Sequence, residues 1–370
     1  MDRQEIYSLC FNGNDFTNFI TFVKSMHSRD KSKGGKSALL HVENEKLVCR
    51  SVDDSNNSIE YYIELFESDN PITEYFAVSV NDLSALIKCS QSDKFKIRKV
   101  FNQFEFMVVG NGWMPLKNSE YDLSKYTVNG DETEIGKIDS IKLRNAITSV
   151  LGYTQDYTYS RDKYIQFKPD KMIVTSRQSS VVTTGEFPEM TLLRDDANML
   201  RNLLRDHAEI TVARVSSAIE RLVFISQKFK LSTIATEIES FDVDYVKDIS
   251  NFITVNCDEL YRLAIFSSEY QDSKQIIGIS IKNNEFRVSI KNVRSANHIS
   301  KISSSINGNV DDTNEEAGIP THGLLKALRL FQDKHCRDVN IYITDKMIKD
   351  QHSFIIFDNE TQAKINIFNR

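Results

Sequence analysis

A strand followed by a capped helix occurs three times along this chain of 370 residues. "EIYSLCFNGNDFTNFITFVKSMH" reads as a strand, a cap at Asn14 or Asp15, and a helix burying Phe16, Phe19, Ile20 and Val23. "EIGKIDSIKLRNAITSVL" repeats it with Asp139 as cap and Leu143, Ile147 and Val150 as the apolar stripe. "FITVNCDELYRLAIFSS" repeats it again with Asn256 ahead of Leu260, Leu263 and Ala264. If Phe19, Leu143 and Leu260 are equivalent, the offsets are 124 and 117 residues. A second set of helices keeps the same step, with Leu83, Leu200 and Leu325 spaced by 117 and 125. A hairpin pattern follows each of these: "KFKIRKVFNQFEFMVV", "AEITVARVSSAIERLVFIS" and "VNIYITDKMIKDQHSFIIF". A period this long exceeds that of solenoid repeats, so the pattern predicts three sequential domains of similar build. The joints fall in polar, turn-rich stretches at 118–136 and 240–251, giving domains 1–128, 129–248 and 249–370. The class is α+β, each domain an antiparallel sheet covered on one face by two helices.

Such helices leave their opposite faces bare. In "THGLLKALRLFQDKH" helical spacing puts Leu324, Leu325, Leu328 and Phe331 on one side and His322, Lys326 and Arg329 on the other. The other helices present Lys24 and His27, Lys88, Lys142 with Asn145 and Ser149, Arg201 and Arg205, and Arg262. Asp258 and Glu269 lie near Arg262, and Asp195, Asp196 and Asp206 bracket the fourth helix, where acids complement helix N-termini. The formal net charge is -6, which argues against nucleic-acid binding over the whole surface but permits a basic lining inside an acidic exterior. Five cysteines, Cys10, Cys49, Cys89, Cys257 and Cys336, are odd in number and far apart. With an N-terminus that lacks a secretory pattern, they imply a reduced, cytoplasmic setting.

Signals for catalysis are weak. "DKSKGGKS" at 30–37 ends like a phosphate-binding loop, but Asp30 stands where the first glycine belongs and a helix precedes it. The seven histidines show no metal-ligand spacing, and "VDDTNEEAG" at 310–318 reads as a solvated acidic loop. No nucleophile–base set can be assembled, so the chain is expected to be no enzyme and to need no cofactor or metal.

Length, threefold repetition and the placing of the helix pairs resemble the three-domain bacterial-type sliding clamp, the processivity subunit of replicative DNA polymerases. Local similarity is strongest at "NCDELYRLAIFSS", "TQDYTYSRDKYIQF" and "DNETQAKINIF". The resemblance implies three tandem clamp domains and a head-to-tail homodimer forming a ring whose helices face duplex DNA. It implies DNA contacts at Lys24, Lys88, Lys142, Arg201, Arg205, Arg262, Lys326 and Arg329. A loop offering Tyr157, Tyr159, Arg161 and Lys163 would add to them. It implies a groove between domains two and three for short hydrophobic peptides of the polymerase and clamp loader, walled by Val174, Ser176, Val181, Tyr245, Ile249, Ile365, Ile367 and Phe368. It implies a dimer interface at Trp113, Met114 and Leu116, facing Phe266 and Tyr270. Two departures stand out. Arg177, Gln178, Ser179, Ser180 and Val181 replace the family's acidic-Gly-His-Arg-Leu run, and Asn366, Ile367, Phe368 and Asn369 replace its Met-Pro-Met-Arg ending. These fit a virus-encoded member serving its own polymerase. The alternatives are an open or monomeric processivity factor and a β-rich interaction scaffold with no DNA role.

Overall fold

A computed structural model describes residues 7–29, 36–67, 72, 74–90, 93–108, 112–128, 130–154, 163–175, 179–236, 243, 245–270, 276–282, 285–290, 298–302, 304–308, 310, 317–343 and 353–366. The first repeat runs β1 (Tyr7–Asn12), α1 (Gly13–Met26), β2 (Ser37–Glu43), β3 (Lys46–Val52), β4 (Ser58–Glu67), β5 (Phe76–Ser79), α2 (Val80–Cys89), β6 (Lys94–Val100), β7 (Gln103–Val108) and β8 (Gly112–Leu116). The second follows the same order: β9 (Asp131–Asp139), α3 (Ser140–Leu151), β10 (Tyr164–Lys168), β11 (Lys171–Thr175), β12 (Ser179–Thr184), β13 (Met190–Leu193), α4 (Arg194–Leu203), β14 (Glu209–Ser216), β15 (Arg221–Ile225) and β16 (Phe229–Ile234). So does the third: β17 (Phe252–Asn256), α5 (Cys257–Tyr270), β18 (Ile276–Lys282), β19 (Glu285–Ile290), β20 (His298–Ile302), an added β21 (Ser304–Asn307), β22 (Ala317–Pro320), α6 (Thr321–Asp333), β23 (Asp338–Ile343), β24 (Ser353–Phe357) and β25 (Thr361–Asn366).

Each repeat contributes two four-stranded antiparallel sets, where the sequence predicts one sheet; in the first repeat β1 pairs with β4 and joins the two, and in the third β21 adds a strand beside β17. In the first repeat their orders are β1-β6-β7-β8 and β4-β3-β2-β5. The second gives β9-β14-β15-β16 and β12-β11-β10-β13, and the third β17-β23-β24-β25 and β20-β19-β18-β22. The hairpin after each second helix forms as predicted.

The chain divides into two compact units, Met1–Leu143 with Met199–Thr236, and Arg144–Asn198 with Glu237–Arg370. This division cuts through the second repeat because strand pairing crosses the repeat boundaries. In the first unit β16 pairs with β4, with Phe229 opposite Tyr61 and Leu231 opposite Ile59. In the second unit β12 pairs with β25 in the same antiparallel sense, with Ser179 opposite Ile365 and Val181 opposite Ala363. Each seam therefore joins the fourth strand of one repeat to the last strand of the next.

The apolar stripes read from the sequence form the cores. Phe16, Phe19, Ile20 and Val23 are buried, as are Leu143, Ile147 and Val150. In the first repeat Phe16 lies 5.0 Å from Phe11 and 6.1 Å from Phe95, ring centre to ring centre. In α6, Leu324, Leu328 and Phe331 are enclosed and Leu325 is half-buried. Gly323 lets α6 approach β25: a β-carbon there would sit 3.3 Å from the Cγ2 of Ile365. Among the described residues no helix is long and apolar enough to cross a membrane.

Candidate nucleic-acid interface

Why the helices start where they do follows from their caps. The side chain of Asn12, two residues earlier than predicted, accepts from the backbone N–H groups of Asn14 (2.9 Å) and Asp15 (3.1 Å). Asp139 caps α3 as predicted, its Oδ1 accepting from the N–H of Lys142 at 2.9 Å. Asn256 caps α5 through the N–H of Glu259 at 3.0 Å. The hydrogen bond from the Lys142 N–H, more than the neighbouring His207, holds the Asp139 carboxyl below its ordinary value of 3.8. A depressed folded value means the cap stabilises above the unfolded value, and that contribution is lost as pH falls through the folded one. Asp139→Asn should therefore keep the helix and flatten the acid limb of the stability profile, measured by thermal denaturation from about pH 5 down to about pH 2, across and below the ordinary carboxylate value.

Capping fixes the rotation of each helix and so decides what its outer face carries. Lys24 is exposed, its Nζ donating to Ser84 Oγ on the neighbouring α2 at 3.0 Å. Lys88 is exposed in the last turn of α2, and Lys142 and Asn145 are exposed on α3. Arg262 and Arg329 are exposed on α5 and α6, while Arg201 and Lys326 are half-buried. Arg205 lies just past α4 and is exposed; its Nε donates to Asn202 O at 3.2 Å and its Nη1 to Asn18 Oδ1 at 3.0 Å. Partial desolvation, with Lys326 adding repulsion, lowers the pKa of His322 from its ordinary value. His27 departs from the prediction. It is buried at the end of α1, with Nε2 2.9 Å from Ser51 Oγ, because the chain turns there into a short 3₁₀ segment over the sheet.

Sequence reasoning passed over Arg144, which is exposed beside Leu143. Its position one step around the helix from the buried stripe was the available signal. Tyr157, Tyr159 and Arg161 lie outside the described residues, as do Asp30 and most of the acidic 310–318 loop. Lys163 is half-buried at the start of the segment leading into β10.

At the end of the first unit's sheet, Trp113 and Met114 sit on the edge strand β8. Trp113 is half-buried under the guanidinium of Arg98, with Cζ 4.1 Å from the ring, and Met114 is 48% exposed. Leu116 does not fit the interface expectation. It is enclosed opposite Phe104, whose ring stacks on Phe76 at 4.2 Å, because the helix-covered core reaches that end of the strand. Phe266 is 37% exposed on α5, and Tyr270 ends the same helix.

In the second unit the expected groove residues separate. Val174, Val181 and Ile365 are fully enclosed and form no open wall. The residues meeting the linker are their strand neighbours Ile173 and Val182, against which Tyr164, Val243 and Tyr245 pack half-buried. A strand's faces alternate residue by residue, so the sequence reading took the wrong parity. Each face carries a buried aliphatic on both strands, Ile173 and Val182 on one and Val174 and Val181 on the other, so the apolar pattern did not mark which meets the linker. Gln362 fastens the linker, accepting from Val246 N–H at 2.8 Å and donating to Val246 O at 2.6 Å. Tyr245 donates from its hydroxyl to Asn359 O at 3.3 Å, and Ile249 is half-buried. Ser176, Ile367 and Phe368 lie outside the described residues.

No protein-family model matches the sequence, and a search of curated proteins finds no match. Solved structures do match over nearly the whole length. A DNA polymerase sliding clamp from Pseudomonas aeruginosa bound to griselimycin superposes with a TM-score of 0.78, covering 99% of this chain and 100% of its own at 12% identity. The DNA polymerase III beta subunit of Thermotoga maritima gives 0.77 with 99% and 100% coverage at 10% identity. A DNA polymerase III beta subunit described from Eubacterium rectale gives 0.76 with 98% and 100% coverage at 12% identity. The chain has the fold of a sliding clamp. Identity this low leaves the clamp fold visible in backbone and topology and nearly erased in side chains, which explains why only the structural comparison finds it.

Proposed function

We propose that this chain is the subunit of a DNA sliding clamp, a non-catalytic ring that encircles duplex DNA and tethers a polymerase. The observation that carries the proposal is the repeated seam. Fourth-strand-to-last-strand pairing occurs at β4·β16 and again at β12·β25, leaving β20 and β8 as the two members without an in-chain seam partner among the described residues. An unpaired edge strand invites pairing, and β20 of one copy against β8 of another repeats the internal seam. Applied head to tail, this contact closes two chains, six repeats in all, into a ring. Trp113 and Met114 on β8 would anchor the contact, with Phe266 and Tyr270 on the opposing side. The three domains are proposed at 1–128, 129–248 and 249–370.

Inside such a ring, exposed Lys24, Lys88, Lys142, Arg144, Arg205, Arg262 and Arg329 supply sparse cations, with half-buried Arg201 and Lys326 behind them. Tyr157 and Arg161 would join them from the loop after α3. Few contacts suit sliding. Each neutralised phosphate adds about -0.9 to the salt slope of affinity, so a dense lining would grip and stop movement. None of these contacts reads base edges, so binding is indifferent to sequence. Partner peptides of the polymerase and loader would dock at the second seam, beside Tyr245, Ile249 and the chain end at Ile367 and Phe368, and a working site in the cytoplasm follows. The test is retention: loaded protein should stay on nicked circular DNA through a high-salt wash and leave once the circle is linearised. Equal loss from both forms would remove the ring.

A further inference from the structure

The first seam holds a pocket of about 210 Å³, of whose lining the clamp reading uses only Arg205. It lies between α1, the chain leaving α4 and the turn joining β15 to β16, all within the first unit. Phe22, Leu203 and Phe229 supply its apolar wall. Tyr61 lines it too, and although the residue is only 7% exposed, its hydroxyl has no hydrogen-bond partner among the described residues. Burial foremost, then the charge of Asp15, pushes that phenol up to about 12, so it remains a neutral donor at any physiological pH. Arg205 is held by Asn18 and Asn202 through Nη1 and Nε, which leaves Nη2 as a second unengaged donor.

Charge narrows the occupant. Lys228 sits between two carboxylates, 3.5 Å from Asp15 and 3.8 Å from Asp206. A free anion such as a phosphate would face both carboxylates, and a free cation would face Arg205 and Lys228. A neutral group carrying a hydrogen-bond acceptor on an apolar body meets neither penalty. The volume is below the ~300 Å³ at which small-molecule pockets usually begin, and suits one or two side chains. We infer that the first-seam pocket is a docking point for an uncharged segment of a partner protein, which inserts a large apolar side chain and offers a backbone carbonyl to Tyr61 and Arg205. Ring closure is not required for it.

A capped, fluorescein-labelled peptide with a Leu-Phe core and Gly-Ser flanks is the probe, followed by anisotropy. Saturable binding should weaken about tenfold in Tyr61→Phe, which removes one hydroxyl and leaves the ring in place, and similarly in Arg205→Ala. A photoreactive phenylalanine in the core should crosslink to the stretch holding Leu203 and Phe229. Equal affinity in the two variants, crosslinks confined to other regions, competition by inorganic phosphate, or no binding by the peptide at all would each overturn the inference.

Discussion

A chain carrying Trp113→Ala and Met114→Asp should sediment as single 42.5 kDa chains under conditions where the unaltered protein sediments as a pair. The expectation rests on what β8 presents. Trp113 has one face against Arg98, which is itself paired with Glu105 at 2.7 Å, and the residue as a whole is half-buried. Removing an aromatic anchor from an interface commonly costs about 2–4 kcal/mol, or roughly 30- to 1,000-fold in dissociation constant. A carboxylate at 114 adds the desolvation of an unpaired charge on the same edge. Because both side chains are partly exposed within one chain, folding should hold, and circular dichroism with an unchanged Tm distinguishes lost assembly from lost structure. Retention on circular DNA should vanish with the pair. An unaltered protein that is monomeric at every concentration tested would defeat the closure scheme outright.

Neutralising Lys24, Lys142, Arg262 and Arg329 together, each to Gln, should flatten the dependence of DNA affinity on salt by about 0.9 per residue that touches a phosphate. At 0.1 M salt each such contact is worth roughly one decade of affinity by the same relation. Open DNA should therefore be bound far more weakly, measured by titration at several salt concentrations. On closed circles the protein, once loaded, should dissociate no faster than the unaltered chain if, as proposed, threading rather than attraction holds it there. All four side chains are exposed, so the fold should tolerate the change. A salt slope identical to that of the unaltered chain would show that these helix faces do not meet DNA.

Much of the architecture was legible because each helix carries its own instructions. Asp139 and Asn256 lie where a cap is needed, and the buried stripes recur at a spacing that only a helix satisfies. Asn12 was misplaced by two residues because "NGND" offers several side chains able to cap, and only the backbone path selects among them. The second four-stranded set of each repeat also escaped the sequence, since a strand does not state its partners. Lys24, Lys142, Arg262 and Arg329 are exposed, as the helical spacing of the buried stripes leads one to expect. At the second seam the strand face that meets the linker carries Ile173 and Val182, where the sequence reading had Val174 and Val181.

Local order in this protein came from its residues directly: strand, cap, apolar stripe and cation recur three times because each repeat must bury one helix face by itself. Pairing between repeats was settled only by the folded chain. The β4·β16 and β12·β25 seams, the parity at the second seam and the unengaged Tyr61 hydroxyl all arise where segments distant in the sequence meet. Side-chain pattern encodes which face of an element is wet. It does not encode which distant edge will cover it, since that depends on the summed packing of many weak contacts.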